Sequence, residues 1–143
     1  MKAEEALARF ETFLRRKGLR VTVPRREILT ETWATHDHFS AEELYARLRG
    51  KGSRASRATV YRTLALLVEG GFLGALDGGR GQMLYEHILG HSHHDHMICL
   101  ACGRIIEFRC AEIEDLQDQI ARRHRFRLVG HTLTLEGYCP ACR

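Results

Sequence analysis

A chain of 143 residues, 44% apolar and 28% charged with only two prolines, can build one ordinary domain or two small ones and lacks the compositional bias of a disordered protein. No apolar run approaches the roughly 18 residues needed to cross a bilayer. The opening MKAEEALARFETFLRRKG carries charges throughout in place of a signal-peptide core, so a cytoplasmic protein with no membrane partner is expected. Residues 1–80 hold 15 Lys and Arg against 10 Asp and Glu, whereas residues 81–143 hold 7 against 8, which assigns any polyanion-binding surface to the first half.

In the first half, Leu7, Phe10, Phe13 and Leu14 recur at helical spacing between Ala3 and Lys17, and Gly18 ends that predicted helix. Thr22 and Pro24 open a second helix running through Ile28, Leu29 and Trp33, with threonine as the cap and proline in the first turn. The SAEE at Ser40–Glu43 has capping-box spacing and starts a third helix, which Gly50 and Gly52 stop. Ser56 caps a fourth, SRATVYRTLALLVE, ended by Gly70 and Gly71. FLGALD and QMLYE, separated by GGRG, then read as a two-stranded hairpin. Helices joined by a short turn and followed by a hairpin describe a winged helix-turn-helix, whose second helix presents its N-terminal residues to the major groove. Those residues are Arg57, Thr59, Tyr61 and Arg62, with Arg54 just upstream. Arginine can donate bidentately to guanine and a tyrosine ring can contact a thymine methyl. The bland alternative is a solvated cationic face; Arg20, Arg25 and Arg26 are phosphate contacts or plain surface charge.

The second half has a different chemistry. HMICLA and RIIEF are short strands around a Cys-x-x-Cys knuckle, AEIEDLQDQIARRH is a helix with Ile113, Leu116 and Ile120 on one side, and FRLVGHTLTLEG alternates as a strand with a bulge expected at Gly130. Cys99, Cys102, Cys139 and Cys142 form two Cys-x-x-Cys pairs, the ligand set of a closed tetrahedral structural zinc; a redox dithiol or unrelated buried thiols are the alternatives. Cys110 is left over and reads as a small core residue. In HSHHDHMICLACG an extended backbone sends His94 and His96 to one side and His93 and Asp95 to the other, so one run can feed two sites. The other unexplained donors are His38, Glu86, Glu107, Glu114, His124 and His131, with His87 and His91 close by.

GLRVTVPRREIL, HFSAEELYARL, RATVYRTLALL, YEH, HHDHMICLACGRIIEF, VGHTL and the final CPAC together resemble the ferric uptake regulator family of metal-dependent repressors, most closely its iron-sensing branch. The resemblance implies an α+β protein with a winged-helix DNA-binding domain at 1–86 and a small α/β metal-binding dimerisation domain at 87–143. It implies structural Zn2+ on the four paired cysteines, a regulatory divalent metal (Fe2+, with Zn2+ or Mn2+ as competitors) on His38, Glu86, His94, His96 and Glu107, and a further site on His93, Asp95, Glu114 and His131. By the same resemblance Tyr61 and Arg62 contact bases and Arg20 enters the minor groove of double-stranded operator DNA, bound by a homodimer or a higher oligomer. The expected function is a non-enzymatic repressor of metal-homeostasis genes that reads a palindromic operator when loaded; zinc-uptake and peroxide-sensing regulation are the alternatives within the family. A zinc metallohydrolase using the His/Asp cluster is the rival from another class, but no HExxH or comparable catalytic motif is present.

Overall fold

Four helices form in the first part of the chain where the local start signals stand: α1 (Ala3–Arg16), α2 (Val23–Ala34), α3 (Ala41–Gly50) and α4 (Arg57–Glu69). Thr22 accepts from the Arg25 N–H at the head of α2, and Ser56 accepts from the Thr59 N–H at the head of α4. At α3 both halves of the capping box are made, between Ser40 and Glu43, which satisfies backbone donors that would otherwise be orphaned. The computed structural model describes all residues, 1–143, and divides them into two units, Met1–Ser92 and His93–Arg143.

The first unit closes around one apolar cluster. Phe10 and Leu14 of α1, Ile28 and Leu29 of α2, Leu44 of α3 and Val60, Leu64 and Leu67 of α4 are all buried in it. Phe72 packs edge-on against Phe10, with ring centroids 5.5 Å apart. Each such side chain contributes about 1.5–3 kcal/mol on burial, so the packing of α1–α4 is what holds α4 in place.

The wing departs from the expected hairpin. β2 (Leu73–Asp77) and β3 (Met83–His87) pair antiparallel as expected, but a third strand, β1 (Phe39–Ser40), lies on the other side of β3, in the order β1-β3-β2. Ser40 must be extended to cap α3, with φ −89° and ψ 162°, and that extended pair of residues is free to join the edge of β3. After β3 the chain turns back, and the N–H groups of Ile88 and Leu89 donate to the Phe72 carbonyl. Those bonds tie the segment after β3 to the first unit, which runs to Ser92.

The second unit contains β4 (Asp95–Cys99), β5 (Ile105–Phe108), α5 (Ala111–Arg123) and β6 (Thr134–Gly137), with sheet order β5-β4-β6. β5 is antiparallel and β6 parallel to β4. The strand expected over 126–137 is paired only over its last four residues. Thr134 already pairs with His96, next to the start of β4, so residues before it have little partner strand left and no bulge forms at Gly130. α5 ends with Arg125 in the left-handed region at φ 55°, with the Phe126 N–H bonded back to the Ala121 carbonyl.

Few apolar side chains are covered in this unit: Ile98, Cys99 and Ala121 are buried, while Leu116 and Ile120 of α5 are 55% and 52% exposed. The face expected to pack α5 onto the sheet is therefore largely open within one chain. Met97 stands beside Ile106 on β5 and Leu135 on β6, forming an exposed apolar row across all three strands.

Candidate metal centres and nucleic-acid interface

The four paired cysteines converge. Cys99 ends β4, Cys102 lies in the turn to β5, and Cys139 and Cys142 follow β6, which the parallel pairing with β4 delivers to the same end of the sheet. One ligand atom from each lies within 4.8 Å of the others. The backbone N–H of Cys139 points at Cys99 Sγ, 3.4 Å away, and backbone hydrogen bonds from Cys102 and Cys139 pull the Cys99 thiol down to about 6. Cys142 is pushed up to about 12 by the hydrogen bonds that its protonated thiol makes to Cys139, Cys99 and Cys102. Four sulfurs this close cannot all ionise without a cation among them, and N–H groups aimed at sulfur favour thiolate. These donors fit a tetrahedral zinc. Cys110 stays outside the cluster and is not a core residue: it is the half-buried N-cap position of α5, its thiol donating to Glu112 at 3.1 Å.

A second cluster also lies wholly within this unit. His93 and Asp95 point the same way, as strand alternation requires, and meet Glu114 from the first turn of α5 and His131 from the segment before β6. His93 Nε2 is 3.1 Å from Asp95, 2.9 Å from His131 Nε2 and 3.7 Å from Glu114; His131 Nε2 is 3.3 Å from Asp95 and 3.4 Å from Glu114. Asp95 is only 1% exposed, a burial that an isolated carboxylate does not tolerate. Two imidazoles and two carboxylates converging on one point suit a borderline or hard divalent ion. His124 does not join; it is the C-cap of α5.

The remaining donors pair within their own units. In the first, continuing the β1–β3 ladder one residue beyond Phe39 and Tyr85 brings His38 beside Glu86, with Nε2 to carboxylate 2.9 Å. In the second, His94 is 3.3 Å from Glu107 and its ring lies 5.0 Å from that of His96, while His96 stands opposite Glu107 across β4 and β5.

On α4, Arg57 and Tyr61 are one helical turn apart and both are exposed. Arg57 Nε is 3.0 Å from each oxygen of Glu42 on α3, and its guanidinium lies over the Tyr45 ring, 4.6 Å from the centroid. The Tyr61 hydroxyl donates to Glu42 at 3.2 Å. Arg62 is exposed, with Nε donating to the Ala58 carbonyl at 3.3 Å. Thr59 is tied into the helix start instead, its hydroxyl accepting from Ser56 at 2.9 Å. Arg20 is exposed between α1 and α2, its carbonyl accepting from Arg25, and Arg26 pairs with Glu11 at 2.9 Å. Sequence reasoning missed Glu42. Nothing in its position in α3 signals a role, because its contact with α4 arises from helix packing.

A winged helix whose α4 offers arginine and tyrosine to solvent, carried on the same chain as a four-thiolate cluster and a His/Asp/Glu cluster, defines a metal-responsive DNA-binding protein. The ferric uptake regulator family model matches residues 16–136. The ferric uptake regulation protein of Shigella flexneri is 43% identical over 129 residues, covering 90% of this chain and 86% of that protein. Among solved structures, the Helicobacter pylori ferric uptake regulator superposes with TM-score 0.86 at 31% identity, covering 99% of this chain and 94% of that one. The Pseudomonas aeruginosa ferric uptake regulator, solved with manganese, gives TM-score 0.77 at 36% identity, covering 91% and 97%. The chain belongs to the ferric uptake regulator family. It is a metal-dependent transcriptional repressor and not an enzyme, of a kind that binds operator DNA and forms dimers, and no helix in it is long and apolar enough to cross a membrane.

Proposed function

We propose that this repressor senses Fe(II) through donors drawn from both units: His38 and Glu86 from the first, His94, His96 and Glu107 from the second. Loading that site fixes the orientation in which the two α4 helices of a dimer meet successive major grooves of a palindromic operator controlling metal-homeostasis genes. The observation that carries the reading is the His38–Glu86 pair at 2.9 Å, which places an imidazole and a carboxylate together on the DNA-binding unit itself. His94 and Glu107 at 3.3 Å supply the same donor types on the metal-binding unit. Nitrogen and carboxylate oxygen accept Fe(II), Mn(II) and Zn(II) alike, so supply in the cell selects among them. A carboxylate at Glu86 and the glutamate at Glu107 favour iron over the zinc-uptake and peroxide-sensing alternatives.

His93, Asp95, Glu114 and His131 would hold a further cation that steadies the second unit, and the four cysteines a structural zinc. The Helicobacter pylori structure, described as revealing three functional metal binding sites, supports that number. Thiols available for zinc suit a reducing cytoplasm. In DNA contact, Arg57, Tyr61 and Arg62 read bases, Arg20 reaches the minor groove, and Thr59 maintains the helix start.

Operator binding by the zinc-replete dimer, titrated anaerobically with Fe(II), Mn(II) and Zn(II), tests the mechanism. Allosteric coupling of about 1–3 kcal/mol predicts roughly 5- to 150-fold tighter binding on loading. His94→Ala should abolish that response while leaving the protein folded. An operator affinity that no metal changes would sink the proposal.

A further inference from the structure

His87 and His91 belong to none of the three donor sets above, yet their rings converge. The Nε2 atoms lie 2.6 Å apart and the ring centroids 4.5 Å apart. His87 ends β3 and His91 closes the turn that follows, held there by its N–H bond to the Ile88 carbonyl at 2.9 Å. His36, from the loop between α2 and β1, stands edge-on to the His87 ring at 5.6 Å. The His87 ring is fixed from beneath by Trp33, stacked at 4.8 Å with an interplanar angle of 21°. Its Nδ1 is buried with the Thr32 backbone beside the ring, so Nε2 is the atom it presents to His91.

We propose that His87, His91 and His36 form a further metal site on the first unit, selective for a borderline divalent transition ion such as Zn(II), Ni(II) or Cu(II). Two facing imidazole nitrogens can share a proton or a cation. His36 and His91 are exposed and can adjust to a cation, whereas the half-buried His87 is held by Trp33. The ligands are all neutral nitrogen donors with no carboxylate in the set, which disfavours the harder Mn(II) and favours the later ions of the series. Glu86 and His87 are successive strand residues and point to opposite faces of β3, so this site does not draw on the carboxylate of Glu86.

Trp33 is the only tryptophan of the chain, which makes the site directly observable. In zinc-replete dimer carrying His38→Ala, His96→Ala and His131→Ala, each of the other two His-containing sites loses ligands, so the result does not depend on the regulatory reading. Titration of that protein with Ni(II) should quench Trp33 fluorescence to saturation near one ion per chain. His91→Ala should abolish the quenching, as should His87→Phe, which keeps an aromatic ring on Trp33. His36→Ala should weaken binding by about tenfold or more, as loss of a metal-site residue does. Absence of saturable quenching in the parent protein, quenching retained in His91→Ala, or unchanged affinity in His36→Ala would each overturn the site.

Discussion

The Tyr61 hydroxyl donates to the carboxylate of Glu42, which also takes Arg57 on both of its oxygens. One acidic residue on α3 therefore holds two candidate base-reading side chains of α4 and offsets the charge of one of them. Removing the carboxylate by Glu42→Ala should add one effective positive charge to the DNA-facing surface. Affinity for scrambled duplex should rise, with the salt slope steeper by roughly 1, while preference for the operator falls. Fluorescence anisotropy on operator and scrambled duplexes at several salt concentrations would reveal this; an unchanged preference would show that Glu42 does not position the readout.

The position of α4 rests on apolar packing. Leu64 is fully buried among residues of the first unit's cluster. Leu64→Ala should destabilise that unit by about 2–5 kcal/mol, combining lost transfer energy with a residual cavity. Urea denaturation followed by Trp33 fluorescence reads it, since Trp33 lies in the same cluster.

Zinc removal should act on the second unit and spare the first. With so few buried apolar residues there, thiolate coordination must supply much of its stability, and structural zinc of this type contributes on the order of 10 kcal/mol in apparent terms. Treatment with a strong chelator should abolish hydrogen-exchange protection in β4, β5 and β6 while α1–α4 stay protected. Equal loss of protection in both units would contradict the division of labour.

Family members are dimeric and the row of Met97, Ile106 and Leu135 is exposed in one chain, so the expected cover for it is a partner subunit. Leu135→Glu should place a charge in that row and shift the protein towards monomer, with operator affinity falling in parallel. Sedimentation velocity over a concentration series checks the first effect. A dimer as tight as wild type would place the interface elsewhere.

Ser40 and Glu43, Ser56, Thr22 and the paired cysteines were legible in the sequence because each acts over two to four residues, through a cap or a metal-ligand spacing. The alternation that separates His93 and Asp95 from His94 and His96 was equally local, a consequence of the two-residue period of extended backbone. Other contacts needed the folded chain. β1 exists only because β3 passes beside the extended cap of α3, and that same ladder sets His38 against Glu86. The expected 126–137 strand shortens because β4 offers it only a short partner. Glu42 meets Arg57 and Tyr61 only through the packing of α3 on α4, and His87 meets His91 and His36 only through the turn after β3 and the loop before β1. Helix starts, the segregation of basic charge from metal donors and the ligand types follow from short spacings and composition alone. Which donors share a site, and which carboxylate holds the DNA-reading residues, was decided by tertiary structure, since those groups are brought together by strand register and helix packing.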